Sequence, residues 1–173
     1  MQKGTIMISK SSRTLSRQIT RLGIAKHLTI SGAESCTGGL IAKLLTDIPG
    51  SSAVFCGACV SYTNEIKRGV LGVSEETINR YTEVSHECAQ EMASGALRVF
   101  GSDIAYSTTG YAGPGGGTEQ DPVGTVYVGI ATRQNTVSYR LSLTEEASRA
   151  FIRNSAAEFV LEKIKNLLET HLE

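Results

Sequence analysis

A short apolar run, His27-Leu28-Thr29-Ile30-Ser31, leads into Glu34-Ser35-Cys36-Thr37-Gly38-Gly39, and Leu40, Ile41, Leu44 and Leu45 follow at helical spacing. A strand that breaks at paired glycines straight into a helix needs a second layer to cover it, which points to a layered α/β fold. The alternation continues along the chain. Residues 11–26 read as an amphipathic helix through Leu15, Ile19 and Leu22, and Pro49-Gly50 closes the helix begun at Leu40. A strand around 58–62 leads into a short helix near 64–70, and Ser74 and Ser85 have the character of helix N-caps. The helix His86–Phe100 carries Ala89, Met92, Ala93, Ala96 and Leu97 on one face, and Gly101 ends it. A third strand, 104–107, runs into a loop over 109–118 with five glycines in ten residues. Two β-rich runs, 124–132 and 137–143, are joined by a hairpin-sized Arg133-Gln134-Asn135. The final helix is expected from Thr144, with Glu145 and Glu146 suiting its dipole. Its apolar stripe is Ala147, Phe151, Ser155, Ala156, Phe159, Val160, Ile164, Leu167 and Leu168. The expectation is an α/β fold: residues 11–173 as one three-layer α/β/α domain with a mixed sheet, a C-terminal β-hairpin and a long C-terminal helix, after a flexible tail over 1–10.

Composition narrows the function. At 173 residues the chain is close to the usual size of one domain. Seventeen basic residues balance seventeen acidic ones, which argues against a globally basic nucleic-acid binder. The absence of Trp argues against a base-stacking platform. Basic residues do cluster early: Lys3, Lys10, Arg13, Arg17, Arg21 and Lys26 occur with no acid before Glu34. This faintly resembles a transit peptide, but it reads more simply as a tail and a basic surface helix. No run of 18 apolar residues and no secretory apolar segment occurs, so a cytoplasmic location without membrane partners is expected. The cysteines, at 36, 56, 59 and 88, are then expected as thiols. Cys56 and Cys59 fall on opposite faces of a strand, which suits core filling better than zinc or redox chemistry.

Four stretches carry chemistry-bearing residues. The Glu34–Gly39 turn places Ser35 at the mouth of a helix N-terminus, where the free N–H groups of Thr37, Gly38 and Gly39 suit a phosphate or an oxyanion; the bland reading is a capped helix. It is not a P-loop, because no Gly-Lys-Ser/Thr follows. Cys36 is the rival nucleophile, but it lacks a convincing histidine among His27, His86 and His171. Tyr62 and Lys67 form the second stretch: a desolvated lysine can act as base for a serine, and an edge tyrosine with a solvated lysine is the alternative. The glycine-rich loop either wraps an anion or is a flexible surface loop. Arg149 and Arg153, four apart on one helix, either clamp a phosphate or pair with Glu145 and Glu146.

Taken together, these stretches resemble the CinA C-terminal domain family, the nicotinamide-mononucleotide deamidases. The resemblance rests on residues 33–40 (AESCTGGL), 47–52 (DIPGSS), 60–67 (VSYTNEIK), 71–73, 84–85, 92–96, 109–114 (TGYAGP) with 116–118, and 122–126 (PVGTV), in order over about residues 15–170. It implies hydrolysis of the nicotinamide carboxamide to nicotinic acid mononucleotide and ammonia, with no metal and no cofactor. By position it assigns the nucleophile to Ser35, the active-site Tyr and Lys to Tyr62 and Lys67, and further site roles to Thr109 and Arg149. On that reading Lys67 accepts the Ser35 proton directly or through Tyr62, kept neutral by burial and by Arg149 as a like charge. Amides at Thr37, Gly38 and Gly39 receive the oxyanion. Thr109, the loop with Gly113 and Gly116, and Arg149 hold ribose and phosphate. The sequence departs from the family in two places. Ala147-Ser148 stand where the family usually has Gly-Asp, and Tyr111 stands where an aliphatic residue is more usual. The resemblance implies a stand-alone version, without the molybdopterin-binding-like domain that often precedes this one, and a homodimer or higher homo-oligomer as its partner state. Two other classes fit the same residues: a catalytically silent nucleotide-binding or regulatory domain, and an amidohydrolase of a related pyridine or purine amide.

Overall fold

The computed structural model describes residues 10–144 and 146–170. Most of the expected tail, together with Glu145 and His171, lies outside them. Five strands form one mixed sheet in the order β2-β1-β3-β4-β5: β1 (Ile30–Glu34), β2 (Phe55–Val60), β3 (Ile104–Gly110), β4 (Thr125–Thr132) and β5 (Thr136–Ser142). β1, β2 and β3 are parallel, and β4 and β5 complete the sheet antiparallel as the C-terminal hairpin. On one face lie α1 (Lys10–Lys26), α2 (Leu40–Thr46) and the long α6 (Arg149–Thr170). On the other lie α3 (Asn64–Gly69), α4 (Glu75–Tyr81) and α5 (His86–Phe100). This is the expected three-layer α/β/α architecture. No helix among the described residues is long and apolar enough to cross a membrane.

Several element limits differ from the sequence reading, each for a local reason. His27 does not start β1. It takes a positive φ of 55° and ends α1, where Leu28 N–H returns to the Gly23 carbonyl. The strand instead runs through Ile30-Ser31-Gly32-Ala33-Glu34, every residue buried. Its polar side chains are tolerated because they are bonded: Ser31 Oγ meets Ala96 O and Ser102 Oγ. β3 extends past the expected Ser107 to Gly110, so Thr109 belongs to a strand and not to the loop. α6 starts at Arg149, not Thr144, because Ser148 Oγ accepts the Phe151 N–H and serves as the cap. The buried stripe of α6 is turned by one residue, to Ile152, Ala156, Ala157, Val160, Leu161, Ile164 and Leu168, which leaves Phe151 exposed. Cys56 is exposed rather than core filler, on β2 at the edge of the sheet.

One close approach shapes the site. The Tyr106 ring from β3 lies directly over Gly32 of β1, where a Cβ would come within 2.1 Å of a ring carbon. Only glycine admits the ring, and the ring carries its hydroxyl to Glu34. Gly32→Ala is therefore expected to lower stability by about 1–3 kcal/mol, as other overpacked cores do. Urea unfolding checks this through a lower midpoint at unchanged slope. An unchanged midpoint contradicts the packing.

Candidate active site

Glu34 is completely buried at the end of β1 and carries five donors. Its Oε2 accepts from Thr37 Oγ1 at 2.7 Å, Gly39 N at 2.9 Å and Ile41 N at 3.2 Å. Its Oε1 accepts from Ala42 N at 2.9 Å and Tyr106 OH at 3.0 Å. An anion at a helix N-terminus satisfies the orphan amides and suits the dipole. The turn from Ser35 to Gly39 thus folds around a carboxylate of the protein itself. Gly38 and Gly39 take φ of 58° and 87°, which side chains rarely adopt. The geometry corrects the expectation that the Thr37-Gly38-Gly39 amides receive an oxyanion. Gly39 N–H is held by Glu34, Gly38 N–H donates to the Ser35 carbonyl, and none of the three lines the cavity. Thr37 is buried, and its carbonyl is gripped by Arg153 Nε at 3.3 Å and a terminal guanidinium nitrogen at 2.6 Å. Glu34 was visible in the sequence only as a polar residue in the turn; its strand position makes it the cap.

With that turn fixed, Ser35 projects into a cavity of about 340 Å3, also lined by Cys36, Tyr62, Thr63, Asn64, Lys67, Glu83, Val84, Thr109, Tyr111 and Arg149. Such a volume suits a small molecule. Lys67 reaches it from α3, whose first turn is capped by Thr63. Lys67 is 1% exposed, so it is not the solvated lysine of the alternative reading. Its Nζ donates to Ser35 Oγ at 3.2 Å and to the Ser61 carbonyl at 3.1 Å. Burial holds its pKa below the ordinary 10.5, opposed by the nearby Cys88, Glu83 and Cys36. Arg149 is not among the groups that move it, so the like charge expected there is replaced by desolvation. Between that lowered value and the ordinary one the unfolded chain binds more protons, so this group's contribution to stability rises with pH through the window. Ser61 Oγ, beside this contact in the chain, is the one buried side-chain N or O atom without a partner among the described residues.

The remaining expected residues form the walls or stand behind them. Arg149, at the start of α6, donates to the Gly113 carbonyl at 2.7 Å and to the Tyr62 hydroxyl at 3.0 Å. This ties the glycine-rich loop and the end of β2 to α6 across the cavity. The bond takes an acceptor site of Tyr62 and leaves its own O–H to donate. Thr109 Oγ1 donates to the Glu83 carbonyl at 2.6 Å, binding β3 to the segment before α5. Neither expected glycine lines the cavity: Gly113 offers its carbonyl to Arg149, and Gly116 lies against the Tyr111 ring. Arg149 and Arg153 share a face as expected, but they do not converge on one ligand: Arg149 holds the Gly113 carbonyl and the Tyr62 hydroxyl, and Arg153 holds the Thr37 carbonyl.

Cys36 is no rival. Burial pushes its thiol up to about 11 in spite of the adjacent helix start, and Cys88 is pushed up to about 12 for the same reason. His86 lies outside the cavity, with Nδ1 2.8 Å from Ser138 Oγ.

The family model of the CinA C-terminal domain matches residues 12–168. A CinA-like protein of Chloroherpeton thalassium is 46% identical over 167 residues, 95% of this chain and 40% of that protein. Another, of Leptospira borgpetersenii, is 51% identical over 125 residues, 72% of this chain and 30% of that protein. The chain therefore spans less than half the length of these curated relatives. Among solved structures, the competence/damage inducible protein CihA from Agrobacterium tumefaciens superposes with a TM-score of 0.90 at 39% identity, covering 93% of this chain and 98% of that one. A CinA superfamily protein from Klebsiella pneumoniae gives 0.87 at 33% identity, over 92% and 98%.

Two outcomes check this geometry. Glu34→Gln turns an acceptor into an amide donor that faces other donors, so it should cost about 2 kcal/mol or more in chemical denaturation; equal stability contradicts the capping network. In a timed iodoacetamide reaction at neutral pH, Cys56 should alkylate first, with Cys36 and Cys88 protected until the protein unfolds. Alkylation of Cys36 as fast as Cys56 contradicts its burial and raised pKa.

Proposed function

The chain belongs to the CinA C-terminal domain family, and on that premise we propose that it hydrolyses the carboxamide of nicotinamide mononucleotide, releasing ammonia and nicotinic acid mononucleotide. One contact carries the reading: a buried lysine 3.2 Å from a serine hydroxyl at the floor of a small-molecule cavity. The separation serves both directions of transfer. A charged Nζ donates to Ser35 Oγ, and a neutral Nζ accepts the hydroxyl proton.

The reaction runs in two halves. Ser35 Oγ attacks the carboxamide carbon as its proton passes to Lys67. The C–N bond breaks, and Lys67 returns the proton to the departing ammonia. Water then attacks the resulting ester and gives a proton to Lys67, which passes it to Ser35 Oγ as the ester bond breaks, releasing the carboxylic acid and restoring both Ser35 and neutral Lys67. The Tyr62 O–H points its remaining hydrogen-bonding capacity at the carbonyl or the proton path. The N–H groups of Arg149 not committed to Gly113 and Tyr62 take the phosphate. Thr109, Tyr111 and Ala112 of the cavity wall face the ribose. No step uses a metal, so chelators should leave the rate unchanged.

Ammonia release from nicotinamide mononucleotide tests the proposal. Ser35→Ala should lower kcat by roughly 10³-fold or more while substrate still binds. The wild-type rate should rise with pH through an ionisation below 10.5, the ordinary lysine value. Lys67→Met should remove that rise and most of the activity. Lys67→Arg should not restore it, because a guanidinium stays charged. Substantial activity in Lys67→Arg makes Lys67 an electrostatic anchor and not the base. Binding without any ammonia release from the wild type supports a silent nucleotide-binding domain instead.

A further inference from the structure

Glu83 is the acidic residue of the cavity that sequence reading missed. It lies between α4 and α5, two residues before the Ser85 cap, and lines the cavity with Ser35, Lys67 and Tyr111. The Thr109 hydroxyl grips its main-chain carbonyl at 2.6 Å and anchors this segment to β3. Its side chain is half-buried and has no hydrogen-bond or ion-pair partner among the described residues. It shares the cavity with Ser35 and Lys67, and its charge acts on Lys67 and Tyr111. Arg149 is held at another wall by Gly113 and Tyr62.

A carboxylate left without a partner in the cavity that holds Ser35 works against the reaction on a neutral amide, because it repels the oxyanion that forms when Ser35 attacks. A positive charge on the ring that bears the carboxamide removes the conflict. In a pyridine alkylated at its ring nitrogen, that charge is spread over the ring presented to Ser35. Resting on the hydrolysis proposed above, we propose that Glu83 is the specificity-determining residue of the cavity, selecting a cationic, N-alkylated pyridine ring over a neutral ring of the same shape. The cavity then matches a zwitterion end to end, with Glu83 toward the ring and Arg149 toward the phosphate.

The test is calorimetric and needs no turnover. Ser35→Ala protein is titrated with nicotinamide mononucleotide and with its 1,4-dihydro form, which keeps the carboxamide, ribose and phosphate but has a neutral ring. The oxidised form should bind about tenfold or more tightly, the order expected of one opposite charge at a partly exposed site. Adding Glu83→Gln should erase that preference by weakening the oxidised form alone. Glu83→Asp should retain part of it, and unchanged binding of the dihydro form reports that the variants are folded. Equal affinity for the two forms in Ser35→Ala, or equal weakening of both by Glu83→Gln, overturns the assignment. The two proposals fail separately. Charge selectivity in Ser35→Ala with no ammonia release by the wild type leaves Glu83 its role and removes the hydrolysis. Ammonia release with equal affinity for the two forms does the reverse.

Discussion

The buried carboxylate of Glu34 is the interaction on which the rest of the site depends. Burying an unpaired carboxylate is prohibitive, and here five donors from β1–α2 and β3 meet it. Because three of them are main-chain amides of the α2 start, the chain between Glu34 and Ala42 has one way to fold. Ser35, the next residue after the carboxylate, is therefore delivered at a fixed point on the sheet end. Tyr106 reaches the same carboxylate only because Gly32 has no side chain, so a β-strand glycine and a helix cap serve one purpose. From outside the turn, Arg153 holds the Thr37 carbonyl.

A serine fixed this firmly meets only what the fold brings to it, and α3 brings Lys67. The helix is little more than one turn, with Lys67 as its buried residue. The Ser61 carbonyl and Ser35 Oγ together fix Nζ, and loss of water lowers its hold on the proton. Across the cavity, Arg149 joins three separated parts of the chain: α6, the loop at Gly113 and Tyr62 after β2. The walls are thus cross-braced by hydrogen bonds, while the floor is built from buried polar pairs. Held in place this way, the side chains lose little freedom when a substrate enters.

Much of this was legible in the sequence, and the failures have physical reasons. The hairpin connection Arg133-Gln134-Asn135 and the helix His86–Phe100 were readable because period and caps agree there. β1 was misplaced because Ser31, Gly32 and Glu34 do not look like a buried strand; their partners lie 65 or more residues away in β3 or α5, or in the following helix. The start of α6 was misjudged because two glutamates after Thr144 imitate a first turn, whereas the operative cap is Ser148. Lys67 could not be told from a solvated lysine by spacing, since its burial comes from elements far along the chain. Family resemblance, not periodicity, singled it out. Glu83 carried no local signal at all: it is one acid in a short connection, and only the fold brings it to the cavity.

The proposed chemistry turns on Lys67 offering a neutral amine to Ser35. It is tested most directly by following the Lys67 side chain by NMR, with lysine labelled with 13C at Cε and the resonance assigned by its loss in Lys67→Met. Lys67 should titrate below the ordinary 10.5, at the same pH as the rise in the rate of ammonia release. A Lys67 that stays charged throughout the pH range in which the rate rises contradicts it.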